Sequence, residues 1–252
     1  LSYRTSDPVG RLILERLPAT LELSLCAAIF AVGLGVPLGV YTGLYPRHWT
    51  SRALQAVSLV GISLPTFLIG IMLILLFAVI LNVLPSFGRG DTVKFGWWTS
   101  GFFTWSGLKA LILPSITLGL FQLTLIMRLV RSEMLEVMRT DYIKFARARG
   151  LSNRAINFGH ALKNTLVPVI TITGLQLGAI IAFAIVTETV FAWPGMGQLF
   201  VQSVQFGDIP VMAAYLLLVS FFFVVINMIV DLLYFVVDPR LRGMGAAAAG
   251  RH

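Results

Sequence analysis

Apolar residues run along this chain in blocks too long for the alternation of a half-buried strand or for one face of a surface helix. Leu17 to Tyr45 holds a single charge, Glu22, and Ala53 to Gly88 holds none. Ala110 to Met127, Thr165 to Thr187 and Val211 to Val230 are equally bare of charge. A helix of about 20 apolar residues crosses the hydrocarbon core of a bilayer. The pattern therefore predicts five membrane spans, over residues 18–44, 57–81, 110–127, 165–187 and 211–230. The block 53–88 is too long for one upright helix, so its span is expected to bend near Pro65 and to stop before Asn82 and Pro85. Pro37 is expected to kink the first span. Gly33, Gly35, Gly39 and Gly43 fall at the short spacing that lets helices approach closely in lipid.

Residues 1–17 read as an external segment ahead of the first span, with a turn at Asp7-Pro8 and a short amphipathic helix around Arg11, Glu15 and Arg16. The segment 46–52 is a short basic loop. Pro85 to Lys109 is a loop in which Trp97, Trp98 and Trp105 suit a membrane–water interface. Residues 128–164 form the longest polar stretch. There Met134, Met138, Tyr142 and Phe145 recur at helical spacing, which predicts one helix face. Gly150 is placed as the residue that ends this helix, and Ser152 or Asn153 as the cap of the next. The result is a helix–turn–helix whose turn projects furthest from the membrane. Residues 238–252 form a tail, closed by Asp238-Pro239-Arg240-Leu241-Arg242 and followed by an Ala/Gly run that reads as disordered.

Composition places these helices in a membrane. Of 252 residues, 57% are hydrophobic and only 12% charged, with a mean hydropathy of +0.87; a soluble domain carries about 25% charged residues. The fold class is an all-α integral membrane protein. A net charge of +8 on a soluble face would point to nucleic acid, but here the charges flank apolar runs. Loop 46–52, loop 128–164 and the tail share one side and carry Arg47, Arg52, Arg240, Arg242, Arg251 and the eight basic residues Arg128, Arg131, Arg139, Lys144, Arg147, Arg149, Arg154 and Lys163. Loops 82–109 and 188–210 balance Arg89, Lys94 and Lys109 against Asp91, Glu188 and Asp208. The first side is therefore expected to be cytoplasmic, with Leu1 outside.

Other chemistries find no support. Cys26 is alone, so no internal disulfide and no cysteine metal cluster can form. His48 and His160 lack a second ligand at metal spacing. No phosphate-binding G-x-x-x-x-G-K-[ST], G-x-S-x-G or H-E-x-x-H occurs. Glu22 and Asp231 are ionisable groups near span ends, and their role stays open between function and simple access to interfacial water. No cleavable signal pattern precedes the first span, and since the chain opens on Leu its natural N-terminus is expected upstream.

Two stretches carry a family resemblance. From Asp141 the chain shows Asp141, Tyr142, Ala146, Arg147, Ala148, Arg149, Gly150, Leu151 and Ser152, followed by His160, Ala161, Asn164 and Pro168. This resembles the cytoplasmic "EAA" loop of binding-protein-dependent ABC importer permeases, in the form of the oligopeptide, dipeptide and nickel group. The commoner E-A-A and Gly pattern falls on Lys144-Phe145-Ala146 and Gly150, so its Glu and first Ala are absent. The second stretch, Glu188 to Leu199, resembles the E-x-V-F-x-x-P-G-x-G-x-L segment of the same permeases through Glu188, Val190, Phe191, Pro194, Gly195, Gly197 and Leu199.

The resemblance, from about Pro18 to Arg242, implies a type I ABC importer permease (MetI-like) helical bundle. The family pattern has six spans, so the first is expected to be missing here. It implies a multi-pass subunit of the bacterial inner membrane that pairs with a second homologous permease, two cytoplasmic ATPases and an external substrate-binding protein. It implies no catalytic residue, metal or cofactor in this chain, with ATP and Mg held on the ATPases, and transport of di- or oligopeptides or, alternatively, nickel chelates. The Asp141–Pro168 set would couple to the ATPases, with Ala146 and Ala148 keeping the helix low enough to enter a partner groove. Glu188, Phe191, Trp193, Pro194, Gly195 and Gly197 would form an external turn or gate, with Gly195 expected at positive φ. The blander readings are a solvated topology-setting linker for the first motif and an ordinary turn with an interfacial Trp for the second. A secondary transporter or channel is the rival class, but no inverted repeat or buried charge chain is evident. A membrane-embedded enzyme lacks any catalytic constellation.

Overall fold

A helix satisfies its own backbone polar groups, which is what a bilayer demands, and helices make up about three quarters of the described residues. The computed structural model describes residues 1–237; the expected tail, from Asp238 on, lies outside the described residues. Helix α1 spans Val9–Leu44 without a break, through Pro18 and Pro37. The separate amphipathic helix expected within 1–17 is thus the opening of α1 itself. Helix α2 (Trp49–Ser63) and helix α3 (Thr66–Leu73, prolonged in π-helical form over Ile74–Ile80) replace the single bent helix expected over 57–81. They meet at 110°. Pro65 has no N–H to give and itself takes an extended backbone, ψ 137°, so the chain turns there rather than bending gently.

Within the loop that follows, Val93–Phe95 (β1) and Trp98–Ser100 (β2) pair antiparallel across Gly96, whose φ is 60°. Helix α4 (Trp105–Val137) has 33 residues, about 50 Å, and outlasts the hydrocarbon core of about 30 Å. Residues 128–137, expected as loop, are therefore its projecting end. Helix α5 (Asp141–Ala148) follows; a π-helical turn at Ala155–Ala161 then leads into α6 (Leu162–Val190). Helices α7 (Met196–Phe206) and α8 (Ile209–Val237) complete the described chain. Among the described residues three helices, Val9–Leu44, Trp105–Val137 and Ile209–Leu232, are each long and apolar enough to cross a membrane. The α2–α3 pair and the two halves of α6, bent by 42°, raise the total to five.

Small residues set the packing. Helices α1 and α4 run parallel, with Gly35, Gly39 and Gly43 against Ile126, Val130 and Met134. A Cβ on Gly39 would sit 2.6 Å from the Val130 Cβ, whereas Gly33 faces nothing within 4 Å. Helix α6 meets α8 in the same way, through Gly174 on Val230 and Gly178 on Phe223. One buried cluster, with Val130, Met134, Ile143, Ala146 and Ile156, lies at the α5 end of the bundle. A second, with Ala19, Leu23, Leu111, Ile180 and Trp193, lies at the other end.

Candidate functional site

The first motif forms an arm hung between α4 and α6. Thr140 stops α4 by adopting an extended backbone and donating its hydroxyl to the Val137 carbonyl at 2.6 Å, an alternative that short hydroxyl side chains offer the chain end. The single helix expected from Met134 through Phe145 is therefore two. Met134 is fully buried in α4, while Tyr142 and Phe145 face outward from α5. The inward face of α5 is Ile143 and Ala146, packed on Met134 and Ile156. Ala146, expected to enter a partner groove, is only 7% exposed within this chain; its smallness seats α5 on its own core.

The end of α5 was legible. Gly150 takes φ 78°, its N–H donates to the Arg147 carbonyl at 2.9 Å and that of Leu151 to the Ala146 carbonyl at 3.3 Å. That pair of bonds closes a helix on a left-handed glycine. Ser152 then accepts from the Ala155 N–H at 3.3 Å and opens the return arm. Residues far apart in the motif meet: Asn164 donates to the Tyr142 hydroxyl at 2.6 Å, and that hydroxyl donates to the His160 carbonyl at 3.5 Å. Ala161 is buried behind them. Pro168 lies inside α6 and cannot donate to the Asn164 carbonyl. Asp141 pairs with Lys144 at 2.8 Å in full solvent, a contact of little energetic weight. Left facing outward are Phe145, 64% exposed, with Arg147, Ala148, Arg149 and Leu151. The Arg149 guanidinium lies 5.7 Å above the Phe145 ring.

The second motif is built around a buried carboxylate. Glu188, at the end of α6, is fully enclosed. It accepts from the Thr20 hydroxyl at 2.6 Å and from the Gln198 N–H at 3.0 Å. Thr20 in turn accepts from the Met196 N–H at 2.8 Å. These are the first amides of α7, whose own N-cap is Gly195 and so offers no side chain. Glu188 and Thr20 supply from α6 and α1 the cap that α7 lacks, and the carboxylate sits where a helix N-terminus favours negative charge. Gly195 does not take the expected positive φ; it is extended, at φ −99°. What it provides is space, since a Cβ there would lie 2.2 Å from Glu188 Oε1. Gly197 lets α7 close on α6, since a Cβ there would lie 2.7 Å from the Ile185 Cα and 3.0 Å from Oε2. Ala192 is the residue in the left-handed region, at φ 46°, where the Trp193 N–H closes α6 on the Glu188 carbonyl at 2.8 Å. Trp193 is no interfacial anchor: it is fully buried, and its indole donates to the Ala19 carbonyl at 2.9 Å. Phe191 is buried against Gly70 of α3, and Pro194 links it and Trp193 to α7.

Glu22 has a structural partner that sequence reasoning missed. Its carboxylate binds the Arg89 guanidinium at 2.6 Å and the Gly101 N–H at 3.2 Å, both buried. Arg89 also donates to the Thr99 carbonyl at 2.6 Å. The pair pins the β1–β2 hairpin onto α1. Asp231 is exposed on α8, and no group of metal-binding side chains occurs among the described residues.

Both motifs thus fold into defined constellations at the two ends of α6. The family model for the binding-protein-dependent transport system inner membrane component matches residues 35–243. The chain belongs to this family. Members similar to it include the dipeptide transport system permease protein DppB of Alkalihalophilus pseudofirmus, 40% identical over 96% of this chain and 76% of that protein. DppB of Escherichia coli K12 is 39% identical over 96% of this chain and 76% of its own length. Among solved structures, an inward-facing form of the MetNI methionine ABC transporter aligns with a TM-score of 0.72 at 20% identity, covering 93% of this chain and 100% of that one. An amino acid ABC transporter aligns at 0.58 and 12% identity, covering 88% and 94%. This inner-membrane component therefore has the type I importer permease fold, as a multi-pass helical bundle of the bacterial inner membrane.

Proposed function

We propose that this chain is a permease subunit of an ATP-driven importer and forms, with a second homologous permease, the pathway by which peptides enter the cell. The observation that carries the reading is the 40% identity to a dipeptide permease along 96% of the chain. An external substrate-binding protein delivers the peptide, and two cytoplasmic ATPases hold ATP and Mg and perform the hydrolysis. The arm 138–161 faces the cytoplasm, as the asymmetry of basic residues requires.

The arm has the properties of a mechanical link. It offers partners a small outward patch, Phe145, Ala148, Arg149 and Leu151, on a helix braced from behind by Ile143 and Ala146. The short turn at 138–140 ties it to α4, and the Tyr142–Asn164 bond ties it to α6. A push on α5 as the ATPases close is therefore delivered to two long helices together. Helix α6, 29 residues in two halves bent by 42°, carries that displacement to Glu188 and the cap of α7, where the pathway opens outward. Pull-down of the tagged permease from cells expressing its transport operon tests the assignment. Two P-loop ATPases are expected in the eluate, and their absence from a correctly inserted permease would refute it.

A further inference from the structure

Where α4 leaves the membrane, it and α2 enclose a cleft of about 330 Å³ lined by Gln55, Ser58, Leu59, Arg128, Arg131, Ser132 and Leu135. No acidic side chain lines it. Neither arginine forms an ion pair among the described residues, and the Arg131 Nε is buried without a hydrogen-bond partner. With its Nε closed off, Arg131 can meet a partner only through its terminal guanidinium nitrogens, and two arginines facing one cleft without a carboxylate make it a site for an anion. Arg128 directly follows the uncharged block 110–127, which sets the cleft at the membrane–water boundary. On the cleft wall Leu59 of α2 is 51% exposed and Leu135 of α4 is half-buried, an apolar rim suited to hydrocarbon chains.

We infer that this cleft binds the phosphodiester headgroup of an anionic phospholipid of the cytoplasmic leaflet. The two guanidiniums meet the phosphate, Gln55 and Ser132 contact the headgroup, and the acyl chains run along Leu59 and Leu135. Guanidinium matches phosphate geometry with paired donors, and basic pockets between helices at the cytoplasmic boundary suit anionic headgroups. A bound lipid here would hold α2 against α4, beside the root of the α5 arm.

Native mass spectrometry of the intact permease, purified with its accompanying subunits in neutral detergent, provides the test. The probes are phosphatidylglycerol, phosphatidylcholine with the same acyl chains, and inorganic phosphate. Phosphatidylglycerol is expected to be retained in preference to phosphatidylcholine. Arg128→Gln, which removes an exposed side chain and spares the fold, should weaken retention about fivefold, the effect of one basic residue at an anionic surface. Arg131→Gln should weaken it further, and Arg154→Gln, outside the cleft, should not. Equal retention of the two lipids, or wild-type retention by both Arg128→Gln and Arg131→Gln, would overturn the proposal. So would displacement of phosphatidylglycerol by millimolar inorganic phosphate, which would assign the cleft to a free anion. Loss of ATPase subunits from the Arg128→Gln complex with lipid retention intact would assign it to a protein contact instead.

Discussion

The economy of the Glu188 constellation lies in single atoms. A carboxylate from one helix caps another, and Gly195 is small because that carboxylate occupies its Cβ space. Gly195→Ala should destabilise the protein by about 1–3 kcal/mol, as overpacking does. Glu188→Ala alone should cost about 0.5–2 kcal/mol through the lost cap. In the double mutant the collision is gone, so the combined loss should fall short of the sum by about 1 kcal/mol. Thermal unfolding of the four proteins in detergent reads the difference, and strict additivity would mean that Gly195 is small for some other reason. Asp208 makes a second residue-scale case. Burial opposes its ionisation, but hydrogen bonds from the Ser2 hydroxyl and the Tyr3 amide, with the Arg4 and Val211 amides close by, outweigh it and hold its pKa below the ordinary 3.8. A carboxyl whose folded pKa is depressed stabilises above the unfolded value and loses that contribution as pH falls through the folded one. Amide exchange at Tyr3, corrected for its intrinsic rate, should stay slow from neutral pH to about pH 4 and quicken below. In Asp208→Asn that protection should be weak at every pH.

At the scale of elements, α5 needs two faces kept apart. Ala146→Glu would drive a charge into the chain's own core, a penalty of about 2–5 kcal/mol, and should unseat the arm itself. Phe145→Ala leaves the fold alone and should remove ATPase binding or substrate-stimulated ATP hydrolysis. Melting temperature and hydrolysis by reconstituted complexes separate the two: a Phe145→Ala protein with normal hydrolysis would leave the outward patch without a role. The spans themselves could be read from runs such as Ala110–Met127, because a bilayer tolerates few charges. Where α4 ends could not, since Arg128 and Arg131 look like loop although the helix simply continues into water. The false helix from Met134 to Phe145 arose because Thr140 stops α4 with a hydroxyl bond rather than with a Gly or Pro. Gly150 and Ser152 were legible as local chain-ending chemistry. The Glu22–Arg89 and Tyr142–Asn164 bonds were not, because each joins residues that only the tertiary fold brings together.

For the whole molecule, α1, α4 and α6 form the packed centre, while α8 leaves Leu216, Leu217, Phe221 and Val224 on the outer surface. Orientation follows from charge and can be checked in a Cys26→Ala background. A cysteine at 150 should react with an impermeant maleimide only after the cells are opened, and one at 97 should react in intact cells. The central claim is that this bundle moves peptides when ATP is hydrolysed on other subunits. The most direct test is uptake of a radiolabelled dipeptide into proteoliposomes containing the permease pair and the two ATPases, with the binding protein supplied on the external side. Uptake should require both internal ATP and the binding protein, and should vanish with Phe145→Ala. Uptake that proceeds without ATP, or that Phe145→Ala leaves unchanged, would contradict the account.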